Sequence, residues 1–505
     1  MKNIIKKFPQ TVAVLAAIAA IFLFFGSREG TEPPSQKSSS AGGTDLNGQW
    51  SLKFWPQPDT GALRTLGEAK NAQEAKTIKA QVPGNVELDL FRAGLVPNPE
   101  LGDNSYKLRE YEGYQWLFSR EFASPKLESG ERAILRLDGI DTFADIFVNG
   151  KKVGETSNML IPHSFDITDF LSKNGKNNLE ILIRSAIMES NGRKIGAISS
   201  AYDSEGIRKA PHMYGWDIMP RMLSAGIWRD AKIEIQKPAR IEDIFFMTVY
   251  TDQKNNEAVC SARIRTALPR ELLGKLSVLA KLSIGGETVW SRNMPADMFT
   301  LSPRDIKIKN AKLWWPRGYG ESPLYVFEAS LLSPDGKLLD SKRINVGLRT
   351  VNLKRSDVFK NGDKGEFAFY VNGRKIYIKG TNWVPLDALH SRDPQHLQKT
   401  LEMAADLNCN MLRCWGGNVY ESDAFYDFCD KNGILIWQDF SLACTTPPQD
   451  DDFAKAMEIE ARSVVERLRS HPSLALWAGN NEDDANLFWS RLIPTGSIST
   501  LQRNA

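Results

Sequence analysis

Four short runs of polar and aromatic residues each follow an apolar stretch in the last third of the chain. A glutamate such as Glu482 can donate or accept a proton, and the asparagine before it can hydrogen-bond a hydroxyl group. One such run alone could end a strand in a structural ion pair, but four in succession favour an active site. The runs are Asn382-Trp383, Arg413-Cys414-Trp415, Trp437-Gln438-Asp439 and Gly479-Asn480-Asn481-Glu482.

The elements that carry these runs alternate between strands and helices after Arg349, a pattern typical of a parallel sheet. In a (β/α)8 barrel the functional residues lie at the C-terminal ends of the strands. Such a barrel needs about 250 residues, so residues 349–505 predict only its first half, a partial TIM barrel. We expect strands at Ile376–Lys379, Asn410–Cys414, Ile434–Trp437 and Leu474–Trp477, and helices that begin at Asp393 (as N-cap, with Pro394 in the first turn), at Ser422 and near Asp452.

Residues 46–348 have a different pattern, in which short alternating apolar stretches are separated by turn residues. Residues 46–237 predict an all-β sandwich of jelly-roll size, with a two-residue hairpin turn at Asn149-Gly150. Residues 238–348 predict an immunoglobulin-like sandwich without the Cys–Trp–Cys core of antibody domains. The chain therefore combines two β domains with an α/β domain.

The N-terminus has the layout of a secretion signal, because Lys2, Lys6 and Lys7 precede the uncharged run Thr11–Phe25. That run is short for a membrane span, yet no clear cleavage site follows it. Residues 1–27 are therefore either a signal peptide or an N-terminal membrane anchor. Residues 28–45 are rich in Ser, Gly and Pro and predict a disordered linker. We expect an exported protein, periplasmic or extracellular, free or tethered.

Thirteen tryptophans are the most informative feature of the composition. Such rings can stack on the C–H faces of sugars, although most of them are expected in the core. The net charge of +3, without basic blocks, does not indicate nucleic acid as a partner. The five histidines lack metal-ligand spacing, and the odd number of cysteines argues against a disulfide framework. We expect no metal, no cofactor and small buried thiols.

Several longer motifs are spread in order from about Leu46 to Asp484. They are VPGNVELDLFRAGLVPNPELGDN, RKAPHMYGWDIMPRMLSAGIW, LWWPRGYGESPLY, MLRCWGGNVYESDAFYDFCDKNGILIWQDFSLAC and HPSLALWAGNNEDD. Together they resemble the β-mannosidases of glycoside hydrolase family 2. The resemblance implies a galactose-binding-like jelly roll, an immunoglobulin-like sandwich and a TIM barrel. It also implies a retaining hydrolase that releases terminal non-reducing β-D-mannose from oligosaccharides or glycoprotein glycans, without a cofactor.

The resemblance assigns catalytic roles to residues at the strand ends. Glu482 falls on the acid/base, Asn481 on the asparagine that binds the sugar 2-hydroxyl, and Arg413 on the arginine near the nucleophile. These roles agree with the chemistry. Glycoside cleavage passes through an oxocarbenium-like state, which needs a protonated carboxyl for the leaving oxygen and a contact to the 2-hydroxyl that strengthens in the transition state.

The resemblance also assigns sugar-binding residues. Trp216 and Asp217 match the segment that reaches from the first domain into the sugar pocket, and Trp415 matches an aromatic wall. Asn382 and Trp383, at the end of the first barrel strand, complete the predicted substrate-binding set. Ordinary packing stays an alternative for Trp216 and Trp415, and a turn cap for Asp217.

The expected nucleophile is missing from the sequence. The resemblance places it on a glutamate after the seventh strand, but the later acids are Asp483 and Asp484, which adjoin Glu482 and cannot face it across a sugar ring. Ile218 and Asn418 also depart from the family, which often has tryptophan and glycine there. We expect the chain to end inside the barrel and to have little activity as written. Alternatives are another exo-β-glycosidase of the family, such as a glucosaminidase or galactosidase, and a non-catalytic carbohydrate-binding protein.

Overall fold

The computed structural model describes residues 43–173, 175–190, 206–298, 300–356 and 365–483. The predicted signal or anchor, most of the predicted linker and the end of the chain lie outside these ranges. Within them, no helix is both long enough and apolar enough to cross a membrane.

The first domain is a β-sandwich. Its strands are β1 (Thr44–Asp45), β2 (Gly48–Pro56), β3 (Lys76–Val82), β4 (Tyr114–Ala123), β5 (Arg132–Leu137), β6 (Ile140–Asp141), β7 (Phe143–Val148), β8 (Lys151–Thr156), β9 (His163–Asp166), β10 (Lys176–Arg184), β11 (Gly226–Ile227) and β12 (Ala231–Gln236), and its short helices are α1 (Leu66–Lys70), α2 (Val86–Arg92) and α3 (Ala186–Ser190). One sheet has the order β3-β2-β4-β10-β7-β8, the other has β1-β12-β5-β9, and β6 pairs with β11.

Alternation of apolar and polar side chains builds this sandwich. Along β2, Trp50, Leu52 and Phe54 are buried in the core between the two sheets. The predicted hairpin turn is confirmed, because Asn149 and Gly150 both have left-handed φ angles and join the antiparallel strands β7 and β8. Such a turn matches the twist of the strands that it connects.

The second domain is a smaller sandwich, as the alternation predicted. Its strands are β13 (Arg240–Asp252), β14 (Glu257–Ala267), β15 (Ser277–Ile284), β16 (Glu287–Pro295), β17 (Thr300–Lys309), β18 (Tyr325–Leu332) and β19 (Leu338–Val346). The sheets have the orders β13-β14-β17 and β16-β15-β18-β19. In β18 every second residue, from Tyr325 to Leu331, is buried in the core between them.

The third domain contains a parallel sheet with helices between its strands. An antiparallel sheet precedes it, formed by β20 (Val351–Arg355), β21 (Phe367–Val371) and β22 (Arg374–Ile376). The parallel strands lie in chain order, as in the first half of a TIM barrel. They and the helices between them are β23 (Gly380–Trp383), α4 (Asp393–Asp406), β24 (Met411–Cys414), α5 (Asp423–Asn432), β25 (Leu435–Asp439), α6 (Asp451–Leu468) and β26 (Leu474–Ala478).

The position predicted for the first barrel strand is wrong. Residues 376–379 do not form it, since Ile376 ends β22 and the parallel strand begins at Gly380. The cause is a two-residue turn at Asn372-Gly373, in which both residues have positive φ. This turn folds β22 back against β21, so the apolar residues near Ile376 belong to a hairpin.

Two smaller expectations also need correction. Asp393 is the first residue of α4 and not its N-cap, because its backbone angles, φ −48° and ψ −42°, are already helical. Its carboxylate lies 2.7 Å from His390 Nδ1. Pro394 does lie in the first turn, as predicted. Thr44 and Asp45, which the prediction assigned to the linker, form β1 and pair with β12.

A buried polar network joins the first sandwich to the barrel. Arg208 forms an ion pair with Glu460 of α6, with 2.7 Å between Nη2 and Oε1, and both side chains are almost fully buried. Asn158 Nδ2 donates to the same carboxylate at 2.8 Å, and so does the hydroxyl group of Tyr420. Arg208 also donates to the Ser441 carbonyl at 2.7 Å. One carboxylate therefore binds residues of both domains.

Glu460→Ala should destabilise the protein by about 3–5 kcal/mol, since removing one partner leaves the buried Arg208 charge without compensation. Urea unfolding of the purified chain measures this change. The matched control is Glu458→Ala, two residues away on the exposed face of α6, which should change the free energy of unfolding by less than about 0.5 kcal/mol. Equal effects of the two variants would contradict a stabilising role for the network.

Candidate active site

An ion pair between Arg413 and Asp439 organises the ends of the barrel strands. Arg413 lies near the end of β24, and its Nη2 is 2.6 Å from Asp439 Oδ2 at the end of β25. The same nitrogen donates to Asn481 Oδ1 at 2.8 Å, while Nη1 donates to Asn382 Oδ1 at 3.3 Å. The guanidinium group thus connects residues at the C-terminal ends of the first three parallel strands with a residue of the loop after the fourth.

Burial of Asp439 shapes the charge of this cluster. Its side chain is fully buried, and burial raises the pKa of Asp439, although the Arg413 guanidinium acts in the opposite direction. The carboxylate also accepts hydrogen bonds from the Gly416 backbone at 3.1 Å and from Trp437 Nε1 at 3.0 Å. These donors compensate its desolvation, so Arg413 and Asp439 form a paired group without net charge.

Asn481 and Glu482 lie on a loop that pairs with the loop after β25. The Asn481 backbone donates to the Leu442 carbonyl at 2.9 Å, and the Cys444 backbone donates to the Asn481 carbonyl at 2.8 Å. Asn481 is buried, whereas Glu482 is exposed and has a positive φ of 61°. A left-handed backbone is unfavourable for a glutamate, so its surroundings must hold it there.

Trp216 of the first sandwich contacts Trp415 of the barrel. The two ring centroids are 5.1 Å apart and the rings meet edge to face. The segment is tied to the loop after β24, because the His212 backbone donates to the Gly417 carbonyl at 3.1 Å. Asp217 is exposed in a tight turn that is closed by hydrogen bonds between the Trp216 and Met219 backbones. The two tryptophans predicted for the pocket are thus brought together across the domain boundary.

Trp383 lies apart from this cluster. Its ring packs against Phe425 of α5, with centroids 5.0 Å apart, and its Nε1 donates to Glu421 at 2.9 Å. Alternation along a strand explains the difference, since Asn382 faces Arg413 and its neighbour must face the helices. Asn418, where the family often has glycine, donates to the same Glu421 carboxylate at 3.3 Å.

Three side chains of types that can bind a metal ion lie close together elsewhere in the barrel. Asp427, Asp430 and His471 have ligand atoms within 4.8 Å of one another. Burial disfavours a charged His471 ring, but the Asp430 carboxylate, 2.6 Å from Nδ1, raises the pKa of His471 overall. The group precedes β26 and therefore lies away from the strand ends that carry Asn481 and Glu482. We interpret it as a structural ion pair.

Three domain families match the chain in order. Residues 68–229 match the glycosyl hydrolase 2 galactose-binding domain-like family, residues 239–349 match glycosyl hydrolases family 2, and residues 364–495 match the TIM barrel domain of glycosyl hydrolases family 2. The chain belongs to glycoside hydrolase family 2. The three families also agree with the galactose-binding-like sandwich, the second sandwich and the barrel described above.

Known proteins are similar to this chain over most of its length. It is 34% identical to beta-mannosidase B of Thermothelomyces thermophilus over 414 residues, which are 80% of this chain and 47% of that protein. It is 31% identical to the beta-mannosidase of Mus musculus over 449 residues, 83% of this chain and 49% of that protein. The chain spans about half the length of the curated relatives that it matches.

Two solved structures are similar to this chain. The beta-D-mannosidase of Dictyoglomus thermophilum matches with a TM-score of 0.76 and 32% identity, over 88% of this chain and 52% of that one. A Bifidobacterium dentium beta-glucuronidase matches with a TM-score of 0.65 and 21% identity, over 90% of this chain and 71% of that one. The second likeness concerns the fold alone.

Sequence reasoning missed two residues that contact the predicted site of this family 2 protein. Asp439 was part of a strand-end run, but its pairing with Arg413 needed the register of two parallel strands. Cys444 was predicted to be buried, yet it is partly exposed and its Sγ lies 3.2 Å from Glu482 Oε2. The other four cysteines are buried and free, as predicted.

Stability should depend on pH through Glu421, whose buried carboxyl group binds Trp383. Burial, with a contribution from the nearby Asp393 charge, raises the pKa of Glu421 from 4.5 to about 7. Between these two pKa values the folded protein keeps a proton on Glu421 that the unfolded chain has released. The free energy of unfolding should therefore fall as the pH rises from about 4.5 to 7, by roughly 3 kcal/mol.

Glu421→Gln should remove this part of the pH dependence, because an amide does not titrate. Urea unfolding at pH 5 and pH 8 measures how far the free energy of unfolding falls in each protein. Glu402→Gln, on the exposed face of α4, is the control and should retain the fall seen in the wild type. A fall of the same size in Glu421→Gln would show that other groups cause it.

Proposed function

We propose that this chain carries part of the active site of a retaining exo-β-mannosidase that removes terminal β-D-mannose from oligosaccharides or glycoprotein glycans. The observation that carries the proposal is the contact between Trp216 and Trp415 beside the strand ends that bear Asn481 and Glu482. An aromatic wall supplied by the neighbouring domain would close one end of a sugar site, an arrangement that would favour attack on a terminal sugar. The β-mannosidase relatives, 30–34% identical, support mannose as that sugar.

Glu482 is the proposed proton donor to the leaving oxygen. Its side chain is exposed at the end of β26, where a glycosidic oxygen could reach it. Asn481, held by Arg413 through its Oδ1, would contact the 2-hydroxyl group as positive charge develops at the anomeric carbon. A retaining enzyme also needs a carboxylate nucleophile about 5–5.5 Å from the acid, and this residue stays unassigned.

The charge of the site supports a neutral sugar as substrate. Asp439 already neutralises Arg413 at a distance of 2.6 Å, so the guanidinium has a carboxylate partner before any ligand binds. An anionic sugar such as a uronic acid would need an uncompensated cation. Asn481 and Asn382, which Arg413 holds by hydrogen bonds, are suited to the hydroxyl groups of an uncharged pyranose.

Glu482→Gln should lower kcat/KM on poorly activated β-mannosides by about 10²–10⁴-fold, because the general acid is lost. Aryl mannosides with good leaving groups should lose less in the glycosylation step, since their departure needs little protonation. The measurement compares kcat/KM for a mannobioside and for 2,4-dinitrophenyl β-mannoside, with a form of the protein that hydrolyses both. Equal losses on the two substrates would show that Glu482 is not the acid.

A non-catalytic carbohydrate-binding protein is the second candidate, because the nucleophile is unassigned. Assay of the purified 505-residue chain tests the second candidate. Hydrolysis of p-nitrophenyl β-mannoside above a Glu482→Ala control would show that the chain holds a complete site and would exclude a non-catalytic protein. Binding of mannobiose by calorimetry without turnover, abolished in Trp216→Ala, would locate a sugar site at the tryptophan pair and is expected of both candidates. Parallel assays with β-glucosaminide and β-galactoside test the other family 2 specificities.

Export is expected from the basic start and the apolar run Thr11–Phe25. We propose that the protein works in the periplasm or outside the cell, free or tethered by this run. Cell fractionation with mass spectrometry of the N-terminus should find the chain outside the cytoplasm. Recovery in the cytoplasm with residues 1–25 intact would contradict the proposal. A variant in which Lys2, Lys6 and Lys7 are changed to glutamate should stay in the cytoplasm.

A further inference from the structure

Cys444 lies beside Glu482 at the ends of β25 and β26. Its Sγ is 3.2 Å from Glu482 Oε2 and 3.6 Å from Asn481 Nδ2. The other four cysteines are buried, whereas Cys444 is partly exposed. The contact therefore joins the most accessible thiol of the chain to the proposed proton donor.

The backbone fixes the two residues in facing positions. Both Cys444 and Glu482 have left-handed φ angles, 51° and 61°. The loops that carry them are joined by backbone hydrogen bonds, from Cys444 to the Asn481 carbonyl at 2.8 Å and from Asn481 to the Leu442 carbonyl at 2.9 Å. Left-handed angles cost free energy in residues with a side chain and persist where the surroundings determine them. The pairing of the two loops thus fixes the short distance between the Cys444 thiol and the Glu482 carboxyl group.

A directed chain of hydrogen bonds runs through the thiol. Arg413 can only donate, so the Asn481 oxygen faces it and the Asn481 Nδ2 group is left to donate to Sγ. Burial, together with the hydrogen bond and the charge of Glu482, raises the pKa of the Cys444 thiol to about 12. The thiol therefore stays protonated at neutral pH and can donate a hydrogen bond to Glu482 Oε2.

We propose that Cys444 is a positioning residue, whose thiol orients the Glu482 carboxyl group and links it through Asn481 to the Arg413–Asp439 ion pair. A thiol is a weak, neutral donor. It can hold the carboxylate without fixing it in the charged form, as an arginine or lysine would. A group that gives up and regains a proton in each cycle needs such a partner. The inference rests on the proposed role of Glu482.

The pH dependence of alkylation tests the contact. Mass spectrometry follows the reaction of Cys444 with iodoacetamide in the 505-residue chain, the Glu482→Gln variant and the Glu458→Gln control. Removing the carboxylate charge should lower the pKa of the thiol, so Glu482→Gln should react roughly tenfold faster at pH 8.5. Glu458→Gln, on the exposed face of α6, should match the wild type. Equal rates in all three proteins would overturn the proposal.

Labelling of the carboxyl group tests the orienting role. Carbodiimide with an amine modifies exposed carboxyl groups, and Glu482 is exposed. Without the thiol donor, Glu482 should be labelled several-fold faster in Cys444→Ala. Cys444→Ser, whose hydroxyl group can still donate, should restore the slow rate. A purely packing role for Cys444 would make the serine variant behave like the alanine variant, and that result would also overturn the proposal.

Neither measurement needs a substrate, so the inference and the proposed function can fail separately. A chain that shows both effects but neither hydrolyses β-mannosides nor binds mannobiose would support the positioning contact and contradict the proposed function. A chain that hydrolyses β-mannosides without either effect would support the function and overturn the role of Cys444. Thermal unfolding of each variant confirms that the compared proteins are folded.

Discussion

The carboxylate of Glu460 is the point on which the arrangement of the domains depends. It is fully buried and binds Arg208 and Asn158 of the first sandwich together with Tyr420 of the barrel. A buried charge is tolerated only where partners of good geometry surround it, so the sandwich and the barrel must meet in one orientation. The interface is thereby specified by hydrogen-bond geometry and not by apolar area alone. A shift of one domain would leave the carboxylate or the guanidinium group without a partner.

The candidate site depends on the same interface through two short paths. Arg208 also binds the Ser441 carbonyl, and Ser441 begins the loop that pairs with Asn481 and faces Glu482. A few residues further along the chain from Arg208, Trp216 reaches Trp415. Because both paths start from one segment of the sandwich, the position of the proposed proton donor and the wall of the proposed pocket are set together.

Charge at the strand ends is balanced before any ligand binds. Arg413 and Asp439 compensate each other, and Arg413 also donates to the amide oxygens of Asn481 and Asn382. An amide whose oxygen is fixed by an arginine presents its N–H groups in a known direction. The cluster is therefore an oriented, charge-balanced group of side chains beside the exposed Glu482, the proposed proton donor.

Local patterns in the sequence determined the type of each domain, because alternation with period two and strand–helix alternation report which side chains must be buried. They also identified Glu482, Asn481, Arg413 and Trp415 as candidates, since polar and aromatic residues that follow apolar strands lie at a sheet edge, whereas Trp216 was identified by the family resemblance alone. They failed for the first barrel strand, where a turn at Asn372-Gly373 diverted an apolar stretch into a hairpin. Only the tertiary structure decided that Asp439 pairs with Arg413, that Trp383 faces the helices, and that Cys444 contacts Glu482 across 38 residues of chain. Such contacts depend on strand register and on the meeting of distant loops, which no short-range pattern encodes.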